Sequence, residues 1–271
     1  MITLNGKDYK LYYLDTCALS ELVKDRSGFG SSLLNIVLED GIIAFSVNSI
    51  WELKSAPVIY KAAMEVLSVL PSMILKTGEM IFDEEYKQFK NSNHEFFPYI
   101  TPFSASIFKK NGIDLLKIVE EKVTNKKNDL AKNFREDTFQ FLRKNPSNIY
   151  SREDLKDKSK LRLSVEMCAF QLATQYRMIE IGKFIENNEF PINNFPSLIS
   201  MAYLLHYKYL QADRKGSSSD VEDILMSALY PYVDVVVTER NQCEIIRQIK
   251  NYSGFLSTLN TFTLSQIKAL L

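Results

Sequence analysis

Short apolar runs that alternate with amphipathic segments constrain the fold of this chain more than any other feature of its sequence. Runs of this length are typical of buried strands, and the segments between them carry apolar residues at helical spacing. Strands that alternate with helices predict a parallel sheet in a three-layer α/β/α arrangement. The runs are Leu11–Leu14, Ile42–Val47, Met73–Lys76 and Val233–Thr238, with Leu259–Leu264 as a candidate fifth strand.

The alternation stops between residues 83 and 213, where the pattern becomes helical and rich in charge. We therefore predict a core of residues 1–82 and 214–271, interrupted by a helical insertion of residues 83–213. Residues 104–162 hold 15 Lys or Arg against 9 Asp or Glu. Such a run is more typical of a solvated helical face than of a nucleic-acid surface. The whole chain has 33 basic and 33 acidic residues, so it gives no global basic signal.

The first residues, the cysteines and the apolar stretches all favour a cytoplasmic protein with no membrane partner. The first residues lack the apolar core of an export signal. The most apolar helical stretch, Ser197–Leu210, contains His206 and Lys208 and is too short to span a bilayer. An odd number of widely spaced cysteines fits a reducing compartment and predicts neither disulfides nor a zinc site. They are Cys17, Cys168 and Cys243.

Four acids follow or flank the predicted strands at positions that a parallel sheet would bring to one edge. Asp15 ends the first strand, Glu52 follows the second, Asp223 begins the helix before the fourth, and Glu239 follows the fourth. Carboxylates cannot cluster unneutralised, and oxygen ligands without His or Cys favour Mg²⁺ or Mn²⁺. Such ions activate water and stabilise the leaving oxygen in phosphodiester hydrolysis.

Each acid also has a purely structural interpretation. Asp15 is a good N-cap for the helix that follows it. Glu52 stands three residues after Ser49, so the two match a capping box. Asp220 and Asp223 fall in a first helical turn, where the helix dipole stabilises acidic side chains. Their spacing of three residues places them on one face, so either or both could reach a metal.

The strand ends resemble the motifs of PIN-domain nucleases, in the same order along the chain. The stretch Tyr13–Leu22 resembles the opening motif of that family, and Phe45–Leu53 resembles the second. The stretch Asp223–Asn241 resembles the last two motifs joined. Each motif is short, but their order and their positions at strand ends make the set moderately specific. The resemblance covers roughly residues 9–80 and 216–265.

The resemblance implies a divalent-metal site and a nuclease activity. By it, Asp15, Glu52 and Asp223 would hold Mg²⁺ or Mn²⁺, and Glu239 would complete the pocket that Thr16 and Thr238 line. It implies an endonuclease, usually acting on RNA, with a parallel sheet between helices. The chain departs from the family pattern in having Glu at 239, where Asp is commoner, and in the length of its insertion.

The sequence thus predicts a metal-dependent endonuclease, with Asp220 as an additional metal ligand. Lys24, Lys54 and Arg240 are near enough to the motifs to contact phosphate, although a plain surface role is the commoner one for each. Nucleic acid, most readily RNA, is the expected partner, and the insertion could bind a protein or support an oligomer. The alternative is a PIN-like scaffold that binds nucleic acid or protein with weak or no catalysis.

Overall fold

A seven-stranded sheet organises the computed structural model, which describes residues 1–4, 6–24, 28–102, 157–176, 191–210 and 219–269. The main path of the sheet runs β5-β4-β3-β2-β6-β7, and β1 pairs with β2 beside it. Among the strands of the described residues, only the β1–β2 and β4–β5 pairs are antiparallel. The strands are β1 (Ile2–Leu4), β2 (Lys7–Leu14), β3 (Gly41–Ser46), β4 (Ser72–Leu75), β5 (Tyr99–Pro102), β6 (Val235–Thr238) and β7 (Asn260–Thr263).

Helices cover both faces of this sheet. Along β2, Leu11 and Tyr13 belong to one apolar cluster, while Tyr12 and Leu14 belong to the other, as the strand period of two requires. The α/β class with a mostly parallel sheet is therefore confirmed. The helices are α1 (Thr16–Lys24), α2 (Phe29–Asp40), α3 (Val47–Lys54), α4 (Pro57–Val69), α5 (Gly78–Lys90), α6 (Lys158–Tyr176), α7 (Pro196–Leu205), α8 (Ser219–Ser227), α9 (Arg240–Ser253) and α10 (Leu264–Lys268).

The first four helices pack on one face of the sheet and the next five on the other, and the last helix, α10, returns to the first face. Helices α1 to α4 and α10 pack on the cluster that contains Tyr12, and α5 to α9 pack on the cluster that contains Tyr13. A π-helical turn, His206–Leu210, continues α7. Among the residues that the structure describes, no helix combines the length and apolar character needed to cross a bilayer.

The strand β2 lies between β3 and β6, and this order positions the candidate site. The chain moves from β2 outward to β3 and β4, and later adds β6 and β7 on the other side of β2. In register, Tyr13 lies beside Ala44 of β3 and Val236 of β6. In open α/β sheets the crevice at such a reversal of strand order is the usual place for ligands, at the carboxyl ends of the strands.

The five predicted strands are present, four of them within two residues of the expected start, while β2 begins at Lys7, four residues before the predicted Leu11. The strands β1 and β5 are absent from the sequence prediction. Gly6, with a φ of 76°, lies in the turn between β1 and β2. The dipeptide Asn5-Gly6 is a strong hairpin signal that could have revealed β1. The strand β5 is short and ends in Pro102, and proline is tolerated only at sheet edges, so its sequence carries little strand signal.

The described part of residues 83–213 joins the core. β5 extends the sheet beyond β4, so this segment is not helical throughout. Leu172 of α6 and Leu204 of α7 lie in the same apolar cluster as Tyr13. Most of the basic run, residues 104–156, lies outside the described residues, as do 177–190 and 211–218. The boundaries of the insertion therefore stay a prediction.

Candidate active site: an acidic pocket

The four predicted acids line one open cavity of about 560 Å³ at the carboxyl edge of the sheet. Asp15, Glu52, Asp223 and Glu239 reach it from the end of β2, from α3, from α8 and from the end of β6. We call this cavity the acidic pocket. The four acids that the sequence predicts at one edge of the sheet thus line one cavity.

Asp15 serves as a helix cap and also faces the pocket. Its Oδ1 accepts a hydrogen bond of 2.9 Å from the backbone N–H of Ala18 in the first turn of α1. Its Oδ2 accepts a hydrogen bond from the hydroxyl of Thr238, the last residue of β6. The Asp15 side chain is therefore held by contacts with α1 and with the end of β6. It can cap α1 and line the pocket at the same time.

Glu52 is directed toward the pocket because α3 begins earlier than a capping box would require. The N-cap is Ser46, whose side chain accepts a hydrogen bond from the backbone N–H of Ser49. The capping-box alternative for Ser49 and Glu52 is therefore wrong. The Glu52 carboxylate instead accepts a hydrogen bond from the hydroxyl of Thr16, across the pocket mouth on α1.

Asp223 reaches the pocket from α8, and a buried lysine holds it there. The Nζ of Lys208 donates to Asp223 and also to Asp220, at 3.1 Å from Asp220 Oδ1. The side chain of Lys208 is fully buried, while that of Asp223 remains 29% exposed. Asp220 itself is buried behind Asp223, away from the residues that line the pocket.

The carboxylates of the pocket disfavour one another's charge. Burial raises the pKa of Glu52, and the charges of Glu222, Asp223 and Asp15 raise it further against the hydrogen bond from Thr16. Burial also raises the pKa of Asp223, where it outweighs the opposing effect of Lys208, and Glu239 and Asp15 add to the rise. A site with this much unshared negative charge favours any cation that can enter it.

Cys17 also lines the pocket, but its thiol is poorly suited to act as a nucleophile. Burial and the neighbouring Asp15 raise the pKa of Cys17 far above its usual value. The thiolate, which is the reactive form, is therefore suppressed. Cys17, Cys168 and Cys243 are all free thiols.

The basic residues predicted near the motifs have three different environments. Lys24 lines the acidic pocket, with its Nζ 3.7 Å from a carboxylate oxygen of Glu21. The Nζ of Lys54 lies 5.9 Å from the ring centroid of Tyr60, a cation–π contact away from the pocket lining. Arg240 lines a second cavity of about 560 Å³, together with Arg247 and polar residues of β7 and α10.

Lys208 is the residue of this site that the sequence reasoning missed. In the sequence, Lys208 interrupts an apolar helical stretch, and that pattern alone assigns it no role. A lysine within such a stretch is nevertheless a usable signal, because a buried ammonium requires carboxylate partners nearby. Asp220 and Asp223 are among the first four acids along the chain after it.

The donor set fits a hard divalent cation in its chemistry. Carboxylates and hydroxyls are the ligands that Mg²⁺ and Mn²⁺ prefer, and the mutual repulsion of the acids would be relieved by such an ion. In the described part of the chain, however, no three acidic, histidine or cysteine side chains lie close enough together to share a metal ion. Side-chain movement would be needed to bring three oxygens onto one ion.

Comparison of the chain with known proteins found no matching family model, no matching curated protein and no matching solved structure.

Proposed function

We propose that this chain is a PIN-like, metal-dependent endonuclease that hydrolyses phosphodiester bonds in nucleic acid, most readily RNA. The observation that carries the proposal is the convergence of Asp15, Glu52, Asp223 and Glu239, from four separate segments, on one open pocket. RNA is the substrate class that the resemblance of the strand-end motifs implies.

The pocket residues would hold Mg²⁺ or Mn²⁺ through the carboxylates of these four acids. When bound, such an ion lowers the pKa of water and stabilises the leaving oxygen of a phosphodiester. Thr16 and Thr238 fix the orientation of the Glu52 and Asp15 carboxylates through their hydroxyl hydrogen bonds. Partners of this kind strengthen a site because they reduce the freedom of the groups they hold.

Cationic side chains near the pocket would position the substrate backbone. Lys24 lies in the pocket itself, and Arg240 lies in the second cavity directly after Glu239. Thr263 and Ser265 line that second cavity and flank Leu264, which lines the acidic pocket, so the two cavities adjoin. A strand of nucleic acid that crosses both would meet phosphate-binding groups beside the carboxylates.

A specific observation supports the rival function, a PIN-like scaffold with weak or no catalysis. Asp223 is already paired with Lys208, and in the described residues no three potential ligands converge at metal-binding spacing. Such a protein would bind nucleic acid or a protein partner without cutting. Two further predictions also remain: that residues 83–213 bind a protein partner, and that the chain forms an oligomer.

Cleavage of mixed RNA and DNA pools separates the two functions. We expect cutting with Mn²⁺ or Mg²⁺ and none with a chelator. Asp15→Asn and Asp223→Asn should abolish cutting, while Asp234→Asn should retain it. Asp234 is a matched control because it binds the backbone N–H of Leu11 and the N-terminal ammonium, remote from the pocket. Binding without cutting by every protein in the set would favour the scaffold.

A further inference from the structure

Lys208 is an ammonium group enclosed within the protein beside an acidic pocket whose lining has one basic residue, Lys24, against five acids. Its side chain is fully buried, on the π-helical turn that continues α7. Its two partners, Asp220 and Asp223, lie three residues apart and so share one face of α8. Isolated π-helical turns of this kind are frequently found at functional sites.

The burial of Lys208 makes its pairing obligatory. An ammonium removed from water loses its hydration, and only close carboxylates with good geometry restore a comparable free energy. Asp220 is only 4% exposed and lies 3.1 Å from Nζ, so the pair is shielded from solvent. The long side chain of Lys208 therefore has little freedom to leave this position in the folded protein.

Asp223 links this buried pair to the pocket. Its carboxylate contacts Lys208, while the residue also lines the pocket with Asp15 and Glu239. A positive charge is thus already supplied to one wall of the pocket. On the other walls, Asp15 and Glu52 accept hydroxyl or backbone hydrogen bonds. Within the part of the chain that the structure describes, no ion pair joins Asp15, Glu52 or Glu239 to a basic side chain.

We propose that the Lys208 ammonium takes the place of one divalent cation between Asp220 and Asp223, where it offsets one of their two negative charges from inside the protein. In this role Lys208 is a positioning residue, which holds Asp223 at the pocket and reduces by one the number of ions that the carboxylates take. The inference rests on the proposed function for its setting, since it concerns the same acids. Removal of the ammonium should open a second cation position between Asp220 and Asp223.

The test counts Mn²⁺ ions by titration, following free Mn²⁺ by electron paramagnetic resonance. We expect Lys208→Met to bind one more ion than the wild-type chain, and Lys208→Met/Asp220→Asn to lose that ion again. The Mn²⁺-induced rise in Tm should also be larger for Lys208→Met. A purely structural role would lower Tm without adding an ion, and equal ion counts in the two proteins would overturn the inference.

A second variant covers the case in which Lys208→Met does not fold. Asp220→Asn leaves Lys208 paired with Asp223, so we expect the same ion count as in the wild type. Loss of an ion in Asp220→Asn would overturn the inference, because Asp220 would then be a ligand of the metal rather than of the ammonium.

Failure of the inference and failure of the proposed function give different results. If the wild type cuts RNA and Lys208→Met gains no ion, the function stands and the inference fails. If the wild type neither binds Mn²⁺ nor cuts, but Lys208→Met binds one ion, the inference stands and the function fails.

Discussion

Two threonines at the acidic pocket hold the carboxylates that they contact in fixed directions. Thr238 is buried at the end of β6 and donates to Asp15, while Thr16 donates to Glu52 from the first turn of α1. Neither threonine needs to contact the substrate to affect the reaction. Groups that orient a ligand side chain typically change metal affinity or activity by about 10- to 100-fold when they are removed.

We predict that Thr238→Val lowers the rate of RNA cleavage by about 10- to 100-fold and weakens Mn²⁺ binding. Valine keeps the shape of threonine but cannot donate to Asp15. Thr174→Val is the matched control, because Thr174 donates to the backbone oxygen of Phe170 within α6. The prediction fails if the two variants cleave RNA at the same rate.

Glu85 is a buried carboxyl group outside the pocket, and its environment makes stability depend on pH. It accepts hydrogen bonds from the backbone N–H and the hydroxyl of Ser197, at 2.7 and 2.5 Å, and from the hydroxyl of Tyr232. Burial nevertheless raises the pKa of Glu85 from 4.5 to about 7. The folded protein therefore holds a proton that the unfolded chain releases above pH 4.5.

A raised carboxyl pKa stabilises the fold at low pH, and this contribution is lost as the pH rises from about 4.5 to about 7. The loss amounts to about 3 kcal/mol at about 1.4 kcal/mol per pH unit. We expect Glu85→Gln, which keeps an acceptor for Tyr232 and cannot ionise, to remove this slope. Denaturant unfolding of both proteins between pH 4.5 and 8 measures it, and parallel curves would contradict the assignment.

At the scale of single elements, the start of α3 decides where Glu52 points. The Ser46 side chain caps the helix and also accepts a hydrogen bond of 3.2 Å from the buried hydroxyl of Tyr13. The helix therefore begins directly after β3, which places Glu52 in its second turn. If Ser49 were the cap, the side chain of Glu52 would turn back to the helix start.

We predict that Ser46→Ala lowers the free energy of unfolding by about 1–2 kcal/mol, the usual contribution of an N-cap. Ser49→Ala should cost less, because it removes the 2.9 Å hydroxyl contact with Ser46 but keeps the backbone N–H that the Ser46 side chain caps. Thermal unfolding of the two variants compares them directly. A larger loss in Ser49→Ala would restore the capping box as the correct interpretation of Glu52.

At the scale of the whole molecule, the topology concentrates negative charge at one edge of the sheet. The N-termini of α1, α3 and α9 point to that edge, because each helix follows directly on the carboxyl end of a parallel strand. The positive ends of their dipoles offset part of the charge of the acids. The negative charge that the dipoles do not offset means that a bound cation would stabilise the folded state.

We predict that saturating Mn²⁺ raises Tm by about 5–10 °C, since a ligand at a hundredfold its Kd adds about 2.7 kcal/mol. The rise should be much smaller in Asp15→Asn and unchanged in Asp234→Asn. Differential scanning calorimetry with and without Mn²⁺ provides the measurement. Equal rises in all three proteins would mean that the ion binds elsewhere.

The sequence by itself determined the features that depend on neighbouring residues. Strand runs such as Ile42–Val47 are recognisable because burial on both faces requires an unbroken apolar sequence. The acids at the strand ends are recognisable because a turn must follow, and a parallel arrangement then places them on one edge. The sequence alone therefore identifies four acids of the pocket, Asp15, Glu52, Asp223 and Glu239.

Only the tertiary structure decided which distant segments meet. The position of β2 between β3 and β6 brings Thr238 to Asp15, and the packing of α7 on α8 brings Lys208 to Asp223. Neither pairing leaves a local pattern, since each joins elements that are separated along the chain. Pairing of this kind is decided by how complementary surfaces bury apolar area and charge together, which no single segment of the chain specifies.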